Sequence, residues 1–164
     1  MPLTLEGSCR CGAIRFTLES HTPQPYQRCY CSICRKTAGG GGYAINLGGD
    51  ASTLRVAGQE NVAIYHAVMR EPGQRATRSK AGRHFCKLCG SALWMWDPRW
   101  PELVHPHASA IDTPLPRPKE VVEAGLAWVA PWVDVPEGRG HVHCDTWPAE
   151  SLREWHQRHG VESP

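Results

Sequence analysis

The chain has 164 residues and a mass of 18.2 kDa, the size of one domain. Lys and Arg number 18 against 16 Asp and Glu, a formal charge of +2. That balance argues against a dedicated nucleic-acid binder and against a polybasic membrane anchor. Apolar residues make up 41% and charged residues 21%, a composition that buries an ordinary core rather than staying disordered. With 16 Gly and 14 Pro and few long helical patterns, strands and turns are expected rather than a helix bundle.

The first residues, Met1 to Ser8, carry Glu6 and have neither a basic nor an apolar signal region. No apolar run approaches the roughly 20 residues of a membrane span. The expected compartment is the cytoplasm, where thiols stay reduced. Over residues 12–19, Ile14, Phe16 and Leu18 share one face against Arg15 and Thr17, as in a half-buried strand. Residues 43–47, 54–57 and 62–67 read as further short strands, punctuated by Gly48, Gly49 and Gly58. Residues 83–86 and 91–96 flank the last cysteine pair like a hairpin. Residues 103–111 predict another strand, in which Pro106 demotes part to an edge.

Three prolines in residues 113–119 mark a linker or crossing segment. From Val121 onward, Trp128, Trp132 and Trp147 with Pro131, Pro136 and Pro148 suggest an extended strap laid over the domain. One helix is predicted at about 149–159. Its inner face would be Leu152, Trp155, His156 and His159, with Glu154 and Arg158 as an i, i+4 pair and Gly160 as the cap.

Seven of the 8 cysteines fall in tight groups: Cys9 and Cys11; Cys29, Cys31 and Cys34; Cys86 and Cys89. In a reducing compartment metal binding is the first reading and disulfides the second. If Cys9 and Cys11 lie in a strand, both face one ion. Cys86 and Cys89 have knuckle spacing, with Gly90 allowing the tight exit. Four thiolates make a closed, structural zinc site. Reduced core thiols or two local disulfides are the alternative.

Cys29, Cys31 and Cys34 then remain, on a strand-to-turn segment. Three thiolates hold a second ion and leave a fourth position open, the mark of a catalytic zinc. Such an electron-rich site suits a substrate thiol better than water. A redox pair with one bystander is the alternative reading. Cys144 stands alone beside His141 and His143 and could supply a further ligand, though an isolated cysteine is more often incidental.

The glycine run Gly39 to Gly42, which includes Gly40 and Gly41, allows a ligand close to the backbone or forms a flexible turn. No Gly-Lys-Ser/Thr follows, which excludes a phosphate-binding loop. Arg28, Arg35 and Lys36 flank the trio. They are candidates to offset its charge or to bind substrate carboxylates, against the alternative of a solvated basic face. The tryptophans read as packing residues, because they are not interleaved with basic residues as in a nucleic-acid groove.

Gly7-Ser8-Cys9-Arg10-Cys11-Gly12, Cys29-Tyr30-Cys31-Ser32-Ile33-Cys34-Arg35-Lys36 and Phe85-Cys86-Lys87-Leu88-Cys89-Gly90-Ser91 resemble the glutathione-dependent formaldehyde-activating enzyme family, also called the centromere protein V/Gfa domain. The resemblance spans residues 5–113, with Ala130-Pro131-Trp132-Val133 also similar. It implies a mainly β fold shared with methionine-R-sulfoxide reductases and a Rab-release factor. That fold is two small antiparallel sheets clamped by structural zinc, with one short C-terminal helix. It implies zinc on Cys9, Cys11, Cys86 and Cys89 and a second zinc on Cys29, Cys31 and Cys34. The implied reaction adds glutathione to formaldehyde, in the carbon–sulfur lyase class.

The expected organisation is a zinc-binding β domain over residues 1–120, with a strap and helix over 121–164 packed on it. The expected activity is that of a zinc-dependent lyase acting on a small thiol or thiol adduct, with glutathione as a candidate. Cys29, Cys31 and Cys34 would be catalytic, and Arg35, Lys36, Gly40 and Gly41 would contact substrate. No nucleic-acid or membrane partner is expected. A non-catalytic zinc module and a thiol-redox protein are the rivals.

Overall fold

In the computed structural model, which describes residues 2–162, the alternation near the N-terminus becomes the second strand of a hairpin. β1 (Leu3–Ser8) pairs antiparallel with β2 (Arg15–Ser20), from Leu3 opposite Ser20 to Ser8 opposite Arg15. Phe16, Leu18 and Ser20 are buried while Arg15, Thr17 and Glu19 face out, so the period of two chooses the core face. The chain continues through β3 (Tyr26–Cys29), α1 (Ser32–Ala38), β4 (Ala44–Asn46), β5 (Gly49–Asp50) and β6 (Arg55–Ala57). β7 (Val62–Tyr65), β8 (Val68–Met69) and β9 (Thr77–Arg78) follow. β10 (Gly82–Cys86) and β11 (Ala92–Trp96) form the predicted hairpin around the last cysteine pair. β12 (Leu103–Pro106), β13 (Val121–Ala124), β14 (His141–Cys144) and α2 (Leu152–Arg158) complete the described elements.

The chain is mainly β, but its sheets differ from the two antiparallel ones expected. They run β1-β2-β6, β5-β12-β11-β10-β7, β14-β13-β3-β4 and β8-β9. β13 is parallel to both β3 and β14. A parallel pair needs a long crossover rather than a hairpin, and nothing local in residues 121–124 announces a partner near residue 26. Residues 121–144 thus supply two of the four strands in the sheet that carries Cys29.

A second correction is α1, where a strand-to-turn segment was expected. Cys31 is its N-cap, and Gly39 closes it by donating its N–H to the Arg35 carbonyl. Seven residues are too few to display a helical period in sequence.

The predicted strand over 103–111 stops at Pro106 and gives way to a single 3-10 turn at Ala108–Ala110. β12 lies between β5 and β11, and Pro106 sits beyond the two residues that β5 covers. There its missing N–H costs no ladder bond on the β5 side.

The main core gathers Leu5, Ile14, Phe16, Leu18, Leu47, Leu93, Trp94 and Val104. Phe16 meets Trp94 edge-on at 5.1 Å between centroids, joining the first sheet to the five-stranded one. Each such buried side chain stabilises the fold by about 1.5–3 kcal/mol.

At the C-terminal end, Ser151 and Glu154 form a capping box and Gly160, with φ of +63°, closes the helix. Glu154 therefore does not pair with Arg158 as expected. Arg158 reaches Glu150 at 2.8 Å instead. Trp155 and His156 face inward, and His159 stacks on Trp155 at 4.0 Å.

Candidate metal centres

The first cysteine group is built from two turns. Cys9 and Cys11 lie in the turn after β1, not in a strand as expected, and Gly12 turns there with φ of +78°. The Ile14 N–H points at the Cys9 sulfur, 3.2 Å away. The other two come from the turn joining β10 to β11. There the Gly90 N–H donates to the Cys86 carbonyl, and Gly90 has φ of +76°, a conformation that costs glycine little. The Arg10 N–H donates to the Ser91 hydroxyl at 3.0 Å and stitches the two turns together.

The four sulfurs all lie within 4.8 Å of one another. Cys9 and Cys11 are 3.5 Å apart at Sγ, and Cys11 and Cys86 3.8 Å. Thiolates at about 2.3 Å from a tetrahedral zinc stand about 3.8 Å apart, whereas a disulfide brings sulfurs to about 2.0 Å. The donor set and spacing fit a closed tetrahedral ion, and all eight cysteines are free.

The second group spans β3 and α1. Cys29 ends the strand, Cys31 caps the helix and Cys34 sits in its first turn. Cys29 and Cys34 are buried and Cys31 half-buried. Their sulfurs also lie within 4.8 Å of one another, with Cys29 and Cys31 at 3.4 Å. The Cys34 N–H donates to the Cys31 sulfur at 3.4 Å. No fourth cysteine joins them. Cys144 belongs to neither group.

Crowded thiols cannot all ionise without a cation. Cys31 is drawn down to about 2 by hydrogen bonds from Cys29 and Cys34, with the Cys34 and Ile33 N–H groups assisting against burial. Cys29 is driven far up by those same two neighbours and by burial. Cys34 is drawn down by Cys29 but raised more by Cys31 and burial, with Arg83 opposing the rise.

The first group is divided in the same way. Ser91 hydrogen bonds bring Cys89 to about 5. Cys11, lowered by the Ala13 N–H, is pushed up to about 11 by its sulfur neighbours. A divalent ion removes this conflict in each group.

The guanidinium that meets a trio sulfur belongs to Arg83. Its Nη1 donates to Cys34 Sγ at 3.5 Å. Arg28 turns instead to Glu123 at 3.4 Å and lies over the Tyr43 ring. Glu123 has no exposed surface and also accepts from Tyr30 and pairs with His141. Arg35 is half-buried with its Nε unpartnered, and Lys36 is exposed. Gly40 and Gly41 sit in the exposed turn after α1, where an added Cβ would meet open space. The close approach is at Gly42, against Val133 of the strap.

The turn that follows β13 passes beside the trio at Gly125, where an added Cβ would lie 3.2 Å from the Cys31 nitrogen. Trp128 and Trp147 are mutually tilted at 5.8 Å and largely exposed beyond it. A cleft of about 260 Å³ beside Trp94 and Trp96, and one of about 240 Å³ beneath α2 with Cys144 in its wall, include no member of either group.

Sequence reasoning missed Arg83, Glu123 and Tyr30. A carboxylate inside the run Val121-Val122-Glu123-Ala124 was the one available signal of a buried polar partner.

Residues 4–128 match the family model described as glutathione-dependent formaldehyde-activating enzyme. A relative from Halomonas elongata, provisionally named as an enzyme of that kind, is 56% identical and covers 98% of this chain and 99% of its own length. A crystal structure of a Rhodobacter sphaeroides protein aligns with a TM-score of 0.52 at 30% identity, over 68% of this chain and 92% of that one. Together the matched span, the identity and the two cysteine groups place the chain in the glutathione-dependent formaldehyde-activating enzyme family.

Proposed function

We propose that the protein is a zinc-dependent carbon–sulfur lyase of the S-hydroxymethylglutathione synthase type, acting on a small thiol or thiol adduct with glutathione as the candidate. The observation that carries this reading is the convergence of three sulfurs, two of them buried, with no fourth cysteine. Zinc held by Cys29, Cys31 and Cys34 would supply an open position at which a thiol gives up its proton. Cys9, Cys11, Cys86 and Cys89 would hold a structural zinc.

The chain's own residues do the rest. The Cys34 N–H fixes the Cys31 sulfur, and Gly125 lets the strap pass close to the trio. Arg35 and Lys36, on the helix that carries Cys34, and Gly40 and Gly41 in the turn beyond it are the proposed contacts for substrate carboxylates and backbone. Addition of the thiol to an aldehyde carbon forms one carbon–sulfur bond and breaks the carbonyl π bond. The proton lost from sulfur ends on the carbonyl oxygen, so the step needs no oxidant or reductant. Reduced thiols suit the cytoplasm as its place of work.

Replacing Cys31 with Ser tests this. One of the two ions should leave and adduct turnover should vanish while the fold persists. Turnover that survives loss of that ion would sink the reading. A reversible Cys31–Cys34 disulfide without metal would favour a redox protein instead.

A further inference from the structure

We propose that Arg83 is a positioning residue of the trio: it holds Cys34 and supplies the counter-charge that lets the trio's open face accept an anionic sulfur. This rests on the reading of Cys29, Cys31 and Cys34 as the reactive centre.

Arg83 reaches the trio from another sheet, 49 residues beyond Cys34, and its Nη1 donates to Cys34 Sγ at 3.5 Å. Its backbone has little freedom. β10 is an interior strand, with Arg83 opposite Tyr65 of β7 on one side and Met95 of β11 on the other. Three residues further on, the same strand ends at Cys86, a sulfur of the closed group. The closed group thus anchors the strand whose guanidinium meets the open one.

Among the described residues no carboxylate pairs with Arg83, whereas Arg28 is engaged by Glu123. The Arg83 charge is therefore directed at sulfur. Three thiolates around a divalent ion leave one net negative charge, and a fourth makes two. One guanidinium within hydrogen-bond reach offsets part of that charge and keeps Cys34 oriented. A neutral ligand entering the same position brings no added charge and gains little from Arg83.

The test uses the full chain loaded with cobalt(II), whose absorption bands report ligand entry, with 2-mercaptoethanol as the anionic probe and imidazole as the neutral one. Arg83→Gln should bind 2-mercaptoethanol about tenfold more weakly with imidazole binding unchanged, and Arg83→Lys should recover most of the loss. If Arg83→Gln fails to take up the second cobalt while Arg83→Lys takes it up, the charge requirement is upheld. Equal weakening of both probes, weakening of neither, or loss of the second cobalt in both variants overturns the role and leaves a packing peg between sheets. An unmodified chain that loads a single cobalt overturns the reading of the trio, and the role of Arg83 falls with it.

Discussion

The Tyr30 phenol donates a 2.6 Å hydrogen bond to Glu123, a carboxylate with no exposed surface that also faces Arg28 and His141. Tyr30 lies between Cys29 and Cys31, so this buried ion cluster fixes the backbone that carries two of the three sulfurs. Tyr30→Phe should cost about 1–3 kcal/mol by leaving one acceptor unmet. Glu123→Ala should cost about 3–5 kcal/mol by stranding Arg28 in a half-buried site. Urea unfolding of the zinc-loaded protein checks both the sizes and their order. Two silent substitutions would mean that the cluster does not support the trio.

The two cysteine groups should fail differently. Cys86 has no exposed surface and joins the turns at opposite ends of the first 90 residues. Structural zinc contributes about 10–16 kcal/mol in peptides, comparable with a domain's net stability of about 5–15 kcal/mol. Cys86→Ser should therefore lose the native β signal in circular dichroism, whereas Cys31→Ser should keep it. Native spectra from both variants would deny the closed group its structural part.

His107 gives a pH dependence. It is 2% exposed with Nδ1 unpartnered, and burial, aided by the charges of Arg83 and His105, pushes it down to about 4. Between pH 6.5 and 4 the unfolded chain takes a proton that the folded chain refuses, so stability falls as pH falls through that window. The contribution of His107 is about 3 kcal/mol over the window. His107→Gln should unfold with a shallower pH slope than the unmodified chain, measured in urea at pH 6.5 and 4.5. Identical slopes would show that His107 takes up its proton in the folded state as readily as in the unfolded chain.

α2 should be separable from metal binding. Ser151→Ala removes one half of the capping box and should cost about 1 kcal/mol, a fall of about 2–4 °C in melting temperature. Zinc per chain should stay the same. A loss of metal on this substitution would tie the helix to the cysteine groups.

The strands best read from sequence are those with one wet face. Ile14, Phe16 and Leu18 alternate, and the hairpin around Cys86 and Cys89 is flanked by β-rich runs, so period and turn chemistry agreed. The seven grouped sulfurs were legible because thiol spacing carries its own chemistry. β13 and the bounds of β3 were not. Tyr26 to Cys29 is buried at its ends rather than in alternation, and all four residues of β13 are buried, one of them an acid. Arg83 was hidden because its partner sulfur lies on α1, 49 residues earlier in the chain, a relation that no local pattern encodes. Cys9 and Cys11 converge through a turn rather than by sharing a strand face. The correct grouping was thus reached through an incorrect local conformation.

The threading of β13 between β3 and β14 also orders events in time. As the polypeptide emerges during synthesis, every sulfur of both groups is present once Cys89 has appeared, and the closed group can seal at that point. The strand bearing Cys29 has β4 on one side but still lacks its parallel neighbour, since Ala124 has yet to arrive opposite it. A nascent protein halted in the proline stretch at 113–119 would carry all seven grouped sulfurs without the parallel strand that flanks Cys29. Completion of the sheet that carries Cys29 waits for the last quarter of translation.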